Sequence, residues 1–206
     1  MAKIPEKTIE RLSKYRRAVL SYQAAGKHHI FSHQLASLLH ITPVQVRRDL
    51  MLIGHTGTLR RGYEIKDLID NISEIIDTDK GQRVAVIGLG NLGKAFISYL
   101  NGKRSKLTIV AAFDINFDKI ERNFAGVPCY HIDNLNEIIK TENITIGIIA
   151  VPTEQATEVA EKLVFAGIKG ILNYSPKSLN VPPSVFLEEY DMITSLEKVA
   201  YYSKLQ

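Results

Sequence analysis

Three glycines that follow a short apolar run limit what residues 84–100 can fold into. The run Val84-Ala-Val-Ile is followed by Gly88-Leu-Gly-Asn-Leu-Gly93, and a segment with helical character continues to Leu100. This spacing is typical of the strand–turn–helix unit that binds a dinucleotide. The first glycine makes the turn, the second lets the backbone approach a pyrophosphate, and the third lets the helix pack on the strand. The helix N-terminus then offers free N–H groups to the phosphates. The alternative is a glycine turn in an unrelated α/β fold.

An acidic residue lies at the distance from this turn that a ribose-binding carboxylate requires. A second apolar segment covers residues 107–113 and ends in Asp114. In dinucleotide-binding folds an acidic residue about 20 positions beyond the glycines accepts a hydrogen bond from the ribose 2′-hydroxyl, and it would repel a 2′-phosphate. No arginine follows Asp114 closely. We therefore expect NADH or NAD⁺ as the ligand rather than the phosphorylated dinucleotides.

Strand and helix patterns alternate through the second part of the chain. This alternation predicts a doubly wound parallel sheet of the Rossmann type, and strands that are apolar throughout agree with a sheet covered on both faces. Strands are predicted at 83–88, 107–113, 144–150 and 170–172, with a weaker one around Cys129, and helices at 91–100, 135–140 and 154–166. An apolar pattern over residues 195–205 predicts a final helix.

The charge of the chain is divided unevenly. Residues 1–62 contain 11 Lys and Arg against 3 Asp and Glu, whereas residues 63–206 contain 15 against 19. The net charge of +4 therefore conceals a strongly basic first third. Such an asymmetry indicates a polyanionic partner for the basic part. The alternative is a solvated basic surface that has no partner.

Helical patterns cover most of this basic part. They are predicted over residues 7–25, 33–39, 43–53 and 64–76, and a short arginine-rich hairpin precedes the last of them. A break of three residues between the second and third helices is typical of two helices that cross steeply. Together with the hairpin, this pattern predicts a winged helix-turn-helix domain.

The third helix has the features of a recognition helix. Thr42 would be its N-cap, with Pro43 in the first position and Gln45 in the third, as in a capping box. Val44 is predicted to face the core. A recognition helix enters the major groove N-terminus first, where Gln pairs with adenine and Arg with guanine or phosphate. The candidate DNA-binding residues are Ser32, also the expected N-cap of the second helix, Thr42, Gln45, Arg47, Arg48, Arg60 and Arg61. The alternative for Arg47 and Arg48 is an ion pair with Asp49 or with the acidic helix at 64–77.

Composition and patterning argue against membrane, secreted and metal-binding proteins. No apolar run approaches the ~18 residues that span a membrane, and the N-terminus has no apolar signal segment, so we expect a cytoplasmic protein. The single cysteine, Cys129, cannot form an internal disulfide. Five of the six histidines lie in the first 55 residues without a standard ligand spacing, so no metal is expected.

In this order, the segments resemble the Rex family of redox-sensing transcriptional repressors. The resemblance is carried by Ser32, Leu35-Ala36 and Val46-Arg47-Arg48-Asp49-Leu50 in the helix-turn-helix, followed by the glycine turn. It extends over essentially the whole chain, through residues 149–152 and 167–176. It implies a winged-helix DNA-binding domain at 1–79, a Rossmann NAD(H)-binding domain at 80–192 and a C-terminal dimerisation helix at 193–206.

The resemblance also implies a function and a set of site residues. Such a protein is a homodimer that binds palindromic operator DNA, is released by NADH and so senses the NADH/NAD⁺ ratio, with the nucleotide as regulatory ligand and no catalytic residue. The implied nucleotide-binding residues are Gly88, Leu89, Gly90, Asn91, Leu92, Gly93, Tyr99, Asp114, Ala150, Val151, Pro152 and Asn173. Arg17 and Asp191 match positions that link one subunit's DNA module to the other's nucleotide domain. Met192 stands where the family often carries a phenylalanine that reaches the partner's nicotinamide pocket.

Three alternatives remain open at this point. The first is an NAD-dependent oxidoreductase, which needs a general acid or base near the nicotinamide. His131 is the only histidine beyond residue 55, and no convincing Lys–carboxylate pair follows residue 152, which counts against catalysis. The second is a nucleotide-binding oligomerisation module whose basic helices bind RNA or protein. The third is a thiol-based sensor that uses Cys129, although a packed apolar role fits its neighbours better.

Overall fold

The computed structural model describes residues 4–58, 60–100, 106–120 and 122–205. The chain divides into two compact units, residues 1–79 and residues 80–206. Within the described ranges, no helix combines the length and the apolar character needed to cross a membrane.

The first unit is helical with a small antiparallel sheet. Its helices are α1 (Glu6–Ala24), α2 (Ser32–Leu39), α3 (Pro43–Leu52) and α4 (Ile65–Ile76), and its strands are β1 (His29–Ile30) and β2 (Tyr63–Glu64). The two strands pair, with His29 opposite Glu64. Residues 40–42 separate α2 from α3, and His40 there takes a left-handed φ of 52° that lets the chain turn sharply. The four helices predicted from periodicity are present, and α2 and α3 form the expected helix-turn-helix.

One apolar core holds this unit together. Its fully buried side chains come from all four helices and from β1: Leu12, Tyr15, Val19, Ile30, Leu35, Val46, Leu50, Ile65, Leu68 and Ile72. Burial of such side chains contributes about 1.5–3 kcal/mol each before the entropy cost of ordering them. Tyr15 of α1 is fully buried in this core, whereas Leu20 on the same helix is 39% exposed.

Two local predictions for the helix-turn-helix were wrong. Ser32 is the first residue of α2 rather than its N-cap, because the capping position is held by Phe31, whose N–H donates to Gln34 Oε1 at 2.9 Å. Val44 is 56% exposed instead of buried, since the buried side of α3 is formed by Val46, Asp49 and Leu50 and Val44 lies on the other side of the helix. The predicted cap of α3 is half confirmed: Thr42 Oγ1 accepts from the Gln45 N–H at 3.2 Å, but the Gln45 side chain bonds elsewhere.

The second unit is a seven-stranded sheet with helices on both faces. Its strands are β3 (Gln82–Ile87), β4 (Leu107–Asp114), β5 (Asn123–Phe124), β6 (Val127–His131), β7 (Ile146–Ile149), β8 (Gly170–Asn173) and β9 (Phe186–Glu189). Its helices are α5 (Asn91–Leu100), α6 (Leu135–Thr141), α7 (Thr153–Ala166) and α8 (Met192–Ser203). The strand order is β5-β6-β4-β3-β7-β8-β9. All neighbours pair in parallel except β5, which lies antiparallel on β6.

This order is that of the doubly wound nucleotide-binding fold. Leaving aside the short β5, the strands follow in space as third, second, first, fourth, fifth and sixth, which is the Rossmann order. The direction of winding reverses between β3 and β7, and ligands bind outside the carboxyl ends of strands at such a point. Two apolar cores, one on each face of the sheet, fix the strands between α5 on one side and α6 with α7 on the other.

Two edge strands were not predicted, and the last helix begins earlier in the chain than predicted. β5 has only two residues, and β9 reads Phe186-Leu-Glu-Glu with mostly exposed side chains, so neither has an apolar run. Helix α8 begins at Met192 instead of Ser195 because Asp191 caps it, accepting from the N–H groups of Ile193 and Thr194.

A buried polar cluster ties α3 to α1 in the first unit. The carboxylate of Asp49 is 2% exposed and accepts hydrogen bonds from Arg11 at 2.6 and 2.8 Å, Tyr15 at 2.7 Å and Gln45 at 2.9 Å. Burial by itself would raise the pKa of Asp49, but the hydrogen bonds from Arg11, Tyr15 and Gln45 outweigh it and hold the pKa below its ordinary 3.8. A charged Asp49 therefore fixes α3 against α1.

Replacing this carboxylate tests its contribution. We expect Asp49→Asn to lower the free energy of unfolding by about 3 kcal/mol at neutral pH, because Arg11 loses its buried counter-charge. Since the folded-state pKa lies below the unfolded one, the stabilisation is complete above pH 3.8 and is lost as the pH falls further, so the wild type and the variant converge in acid. Urea unfolding followed by circular dichroism measures both effects.

The matched control is Asp70→Asn, which removes an exposed carboxylate from α4. We expect a change within about 0.5 kcal/mol for this variant. Equal stability of the two variants at neutral pH would show that the Asp49 cluster does not hold α3.

Candidate functional sites

A cleft opens in the second unit where the strand order reverses. It has a volume of about 330 Å³, which is within the usual range for small-molecule sites of roughly 300–1,000 Å³. The carboxyl ends of β3, β4 and β7 form its floor. Its lining is formed by Ile87, Gly88, Gly90, Phe113, Asp114, Ile115, Asn116, Lys119, Ile132, Ala150, Val151, Pro152, Gln155 and Val159. The cleft therefore lies where a doubly wound fold binds nucleotides.

The three glycines of the turn are needed for three different reasons. Gly88 has a φ of +95°, and a Cβ there would lie 2.5 Å from the carbonyl oxygen of Ala150. A Cβ on Gly93, in the first turn of α5, would overlap the carbonyl oxygen of Gly88, so α5 packs on the turn only without a side chain. A Cβ on Gly90 would meet nothing within 4 Å. None of the described residues therefore requires a glycine at position 90, whereas a ligand that touches the backbone would.

The carboxylate of Asp114 holds this turn in place through hydrogen bonds. Asp114 ends β4, is 9% exposed and lines the cleft. Its Oδ2 accepts from the Leu89 N–H at 2.8 Å and from Lys119 Nζ at 2.8 Å, and its Oδ1 accepts from the Asn116 N–H at 2.9 Å. Burial by itself would raise the pKa of Asp114, but the hydrogen bonds from Lys119, Asn116 and Leu89 outweigh it and lower the pKa. The carboxylate is therefore charged at neutral pH.

The structure brings together most of the residues that the sequence assigned to the nucleotide. Gly88 and Gly90 line the cleft with Asp114, opposite the segment Ala150-Val151-Pro152 that follows β7. Leu89 lies in the turn, and Asn91, Leu92 and Gly93 form the first turn of α5. The N-terminus of α5 is therefore at the glycine turn, as a pyrophosphate site requires.

Six of the predicted nucleotide residues lie outside the lining of this cleft. Four of them belong to the glycine turn and the first turn of α5, and the other two, Tyr99 and Asn173, lie elsewhere. Tyr99 is 66% exposed near the end of α5. Asn173 is fully buried. Its amide group donates to the Lys177 carbonyl oxygen at 2.7 Å, and its Oδ1 accepts from the Ser175 N–H and hydroxyl at 3.0 and 2.7 Å. The Asn173 side chain therefore holds the loop after β8, and contact of either residue with a nucleotide stays a prediction.

Lys119 was not predicted, although it is the one ammonium group among the described residues that line the cleft. The expectation of an unphosphorylated ribose rested on the absence of an arginine close to Asp114, and it took no account of the lysine five positions further on. The sequence does contain a signal for this contact. A lysine a few positions after an acidic residue at a strand end can reach that residue if the chain makes a tight turn between them. Lys119 does so, and it forms an ion pair with Asp114.

The exposed side of α3 carries the predicted DNA-binding residues. Arg47 and Arg48 are exposed, and Arg47 Nη1 donates to Ser32 Oγ at 3.1 Å, which places the start of α2 beside α3. Asp49, one of the two ion-pair partners considered as alternatives for these arginines, is bound by Arg11 instead. Gln45 donates to Asp49 as well, so its amide group is partly occupied by the cluster that positions the helix.

The hairpin before β2 forms the expected wing. Thr58 and Gly62 exchange two backbone hydrogen bonds of 2.8 Å, and the Arg61 N–H donates to Thr58 Oγ1 at 3.2 Å. Arg60 and Arg61 are exposed at its tip. A hollow of about 280 Å³ lies between the wing and the helices, lined by Phe31, Ser32, Arg47, Gly57, Thr58, Gly62 and Tyr63. Arg47 of α3 therefore lies beside the wing, at this hollow.

The three residues expected to link subunits are all on exposed surfaces. Arg17 is exposed on α1. Asp191 is exposed as the N-cap of α8, and its hydrogen bonds with Thr194 lower its pKa, so it is charged at neutral pH. Met192 is 51% exposed. Helix α8 has no buried residue, although it carries a stripe of large apolar side chains: Met192, Ile193, Leu196, Val199 and Tyr202.

The single cysteine does not have the surroundings of a redox sensor. Cys129 is 1% exposed in β6, and burial, followed by the charge of Asp114, raises its pKa. Reactive cysteines are accessible and have lowered pKa values, so the thiol-sensor alternative is disfavoured. Among the described residues, no group of His, Cys, Asp and Glu side chains is arranged to hold a metal ion.

Comparison with known proteins agrees with this division of the chain. A family described as a putative DNA-binding protein N-terminus matches residues 3–50, and a family described as a CoA binding domain matches residues 79–177. The redox-sensing transcriptional repressor Rex of Anoxybacillus flavithermus is 36% identical to this chain, and the similarity covers 98% of this chain and 95% of that protein.

Solved structures of a Rex-family repressor, RSP, match over nearly the same length. RSP in complex with β-NAD⁺ and operator DNA is 31% identical, with a TM-score of 0.90 over 98% of this chain and 93% of that one. RSP in complex with β-NADH is 30% identical, with a TM-score of 0.86 over the full length of both. Both units are therefore similar to transcriptional regulators rather than to enzymes. The chain belongs to the Rex family of redox-sensing transcriptional repressors.

Proposed function

We propose that this protein represses transcription by binding operator DNA and that NADH, bound in the Rossmann unit, releases it. The observation that carries the proposal is a nucleotide cleft with open space at Gly90 in the same chain as a basic winged helix-turn-helix. Support comes from the RSP structures, one with NAD⁺ and operator DNA and one with NADH. The nucleotide is the regulatory ligand, and the chain needs no catalytic residue for this role.

The functions of the three segments are assigned as the sequence predicts. We assign DNA binding to residues 1–79, nucleotide binding to residues 80–192 and dimerisation to residues 193–206. The exposed apolar stripe of α8 needs a partner surface, and a second copy of the chain would supply it. A two-fold symmetric dimer matches a palindromic operator, because each copy reads one half-site. We place this repressor in the cytoplasm, where operator DNA and NADH are both available.

DNA recognition would rest on α3 and the wing. Arg47 and Arg48 point their cations outward from a helix that the Asp49 cluster holds in place, so little ordering is needed on binding. Thr42 at the helix N-terminus and Ser32 beside Arg47 are placed to donate to phosphates. The wing residues Arg60 and Arg61 would reach the backbone or a neighbouring minor groove.

Nucleotide binding would depend on the glycine turn at 88–93, which Asp114 holds in place. The pyrophosphate fits at the N-terminus of α5, where Gly90 leaves room for it. The adenosine ribose fits beside Asp114, and the segment at 150–152 closes the opposite wall. NADH and NAD⁺ differ in charge at the nicotinamide, so residues near that ring must distinguish them. Met192, from the partner subunit, is our candidate for that contact.

Release of DNA requires that NADH prefer one of two arrangements of the dimer. A coupling free energy of ~1–3 kcal/mol between the sites is enough to change operator affinity by about 5- to 150-fold. Arg17 on α1 and Asp191 at the start of α8 carry opposite charges on exposed surfaces. An ion pair between them across the dimer would bias one arrangement over the other.

The recognition helix is tested by removing its arginines singly. We expect Arg47→Ala and Arg48→Ala each to weaken operator binding by about 1–3 kcal/mol, and a lost phosphate contact to reduce the slope of log K against log[salt] by about 0.9 per contact. Fluorescence anisotropy with labelled operator at several salt concentrations measures both quantities.

The matched control for this test is Lys14→Ala, which removes one positive charge from the exposed side of α1. It should leave affinity and salt slope close to those of the wild type. If both arginine variants behave like the control, α3 is not the recognition helix.

The nucleotide site is tested at Gly90. In the wild type we expect NADH to release operator DNA at far lower concentration than NAD⁺ does. Gly90→Ala should fold normally, since its methyl group meets nothing within 4 Å, and should bind operator DNA normally. It should no longer respond to NADH, because the methyl group fills the space of the pyrophosphate.

Gly170→Ala serves as the control for an added methyl group. Its Cβ would meet neighbours only at ordinary contact distances of 3.8 and 3.9 Å, outside the cleft lining. This variant should keep the NADH response. A Gly90→Ala protein that still leaves DNA when NADH is added would contradict the assignment of the cleft.

A further inference from the structure

We propose that Val44 is a specificity-determining residue of α3 and that it recognises a thymine in each half-site through the C5-methyl group of that base. The proposal rests on the proposed function, in which α3 enters the major groove of operator DNA. It concerns a side chain that the sequence pattern placed in the core and that is 56% exposed.

A single stripe of side chains runs along the exposed side of α3. It consists of Val44, Arg47, Arg48 and Met51, whose spacing of three and four positions puts them on one face of a helix. The two arginines lie between the two apolar side chains. A DNA groove that accepts the arginines therefore also meets Val44.

Val44 is at the leading end of this stripe. A recognition helix enters the major groove with its N-terminal residues against the base edges. Of the four residues in the first turn, 43–46, Val44 is the only one that is exposed. Val46 is buried in the core, and Pro43, at the first position, has no N–H to donate. The side chain that meets the bases first is therefore apolar.

The polar side chain of this turn is held toward the buried side of the helix. Gln45 Nε2 donates to Asp49 Oδ1 at 2.9 Å, and Asp49 is 2% exposed. A glutamine that reads adenine uses its amide oxygen and nitrogen together on the base, and the bond to Asp49 opposes that orientation. Arg11 and Tyr15 hold the same carboxylate, so the amide of Gln45 belongs to a fixed cluster. Base reading in the leading turn is thus left to Val44.

An apolar side chain finds one kind of partner among the base edges of the major groove. Every base presents hydrogen-bonding groups there, and thymine alone adds a methyl group. A valine against a polar base edge leaves buried groups without partners, which is costly, whereas contact with a methyl group removes apolar surface of both partners from water. Valine in a helix also keeps essentially one χ1 rotamer, so little side-chain ordering is needed. Val44 therefore favours thymine over cytosine at the position it faces.

The test removes the methyl group from the DNA. The probe is a fluorescein-labelled palindromic duplex that the wild-type protein selects from a random-sequence library. Each thymine in turn is replaced in both half-sites by deoxyuridine, which lacks only the C5-methyl group, and fluorescence anisotropy gives the Kd of the full-length protein without nucleotide. We expect one thymine position, or two adjacent ones, at which the wild-type Kd rises about fourfold for each half-site, on the order of tenfold for the palindrome.

Val44→Ala supplies the second arm of the test. Its Kd for the thymine duplex should be higher than that of the wild type, and deoxyuridine at the sensitive position should then change it by less than about twofold, because the side chain that meets the methyl group is gone. Its salt slope should equal that of the wild type, since no phosphate contact is lost. The matched control is Met51→Ala, which removes the other apolar side chain of the stripe, about 10 Å further along the helix axis. This control should keep the wild-type response to deoxyuridine at that position.

A deoxyuridine effect of the same size in Val44→Ala and in the wild type would overturn the inference, because another residue would then meet the methyl group. A lower salt slope in Val44→Ala would overturn it too, since the substitution would then act through the phosphate contacts. The wild-type arm needs no substitution and is independent of misfolding, and indifference of the wild type to deoxyuridine at every position would also contradict the inference. A wild type that binds all duplexes of the library alike would instead overturn the proposed operator binding.

Discussion

The buried carboxylate of Asp114 is the contact on which the nucleotide unit depends. It holds three segments together through hydrogen bonds. These are the glycine turn through the Leu89 N–H, the end of β4 through the Asn116 N–H, and the following 3-10 turn through Lys119. Each piece would otherwise leave a polar group with no partner at the bottom of a cleft, and such groups are costly to bury. The turn is therefore shaped before any ligand arrives, which reduces the ordering that binding requires.

The first unit uses a buried carboxylate in the same way. Asp49 lies in the helix that carries the exposed arginines, and it is held by Arg11 and Tyr15 of α1. Because α1 also carries Arg17, a movement of α1 would carry the recognition helix with it as one body. The two carboxylates therefore hold in place the DNA-binding helix and the glycine turn, the two surfaces whose coupling we propose.

Periodicity and glycine spacing predicted the elements that surround the site but not every group within it. Helix α5 was predicted at its observed bounds, 91–100, because the glycines and the apolar pattern both mark it. Strand β5, with two residues, and the exposed strand β9 gave no pattern to detect. The roles of Lys119 and Asn173 depend on tight turns that bring them back to a strand end, and a linear pattern does not record such turns. The exposure of Val44 shows the same limit, since its helix packs on one side only.

The central claim is that DNA and nucleotide binding oppose each other through one dimer. Thermodynamic linkage makes the coupling reciprocal, so operator DNA must weaken NADH binding by the same factor by which NADH weakens operator binding. The direct measurement is the Kd of NADH for the full-length protein, titrated with and without saturating operator duplex. The account predicts a Kd that is about 5- to 150-fold higher with DNA present. The same Kd in both titrations would show that the Rossmann unit does not regulate the DNA-binding unit.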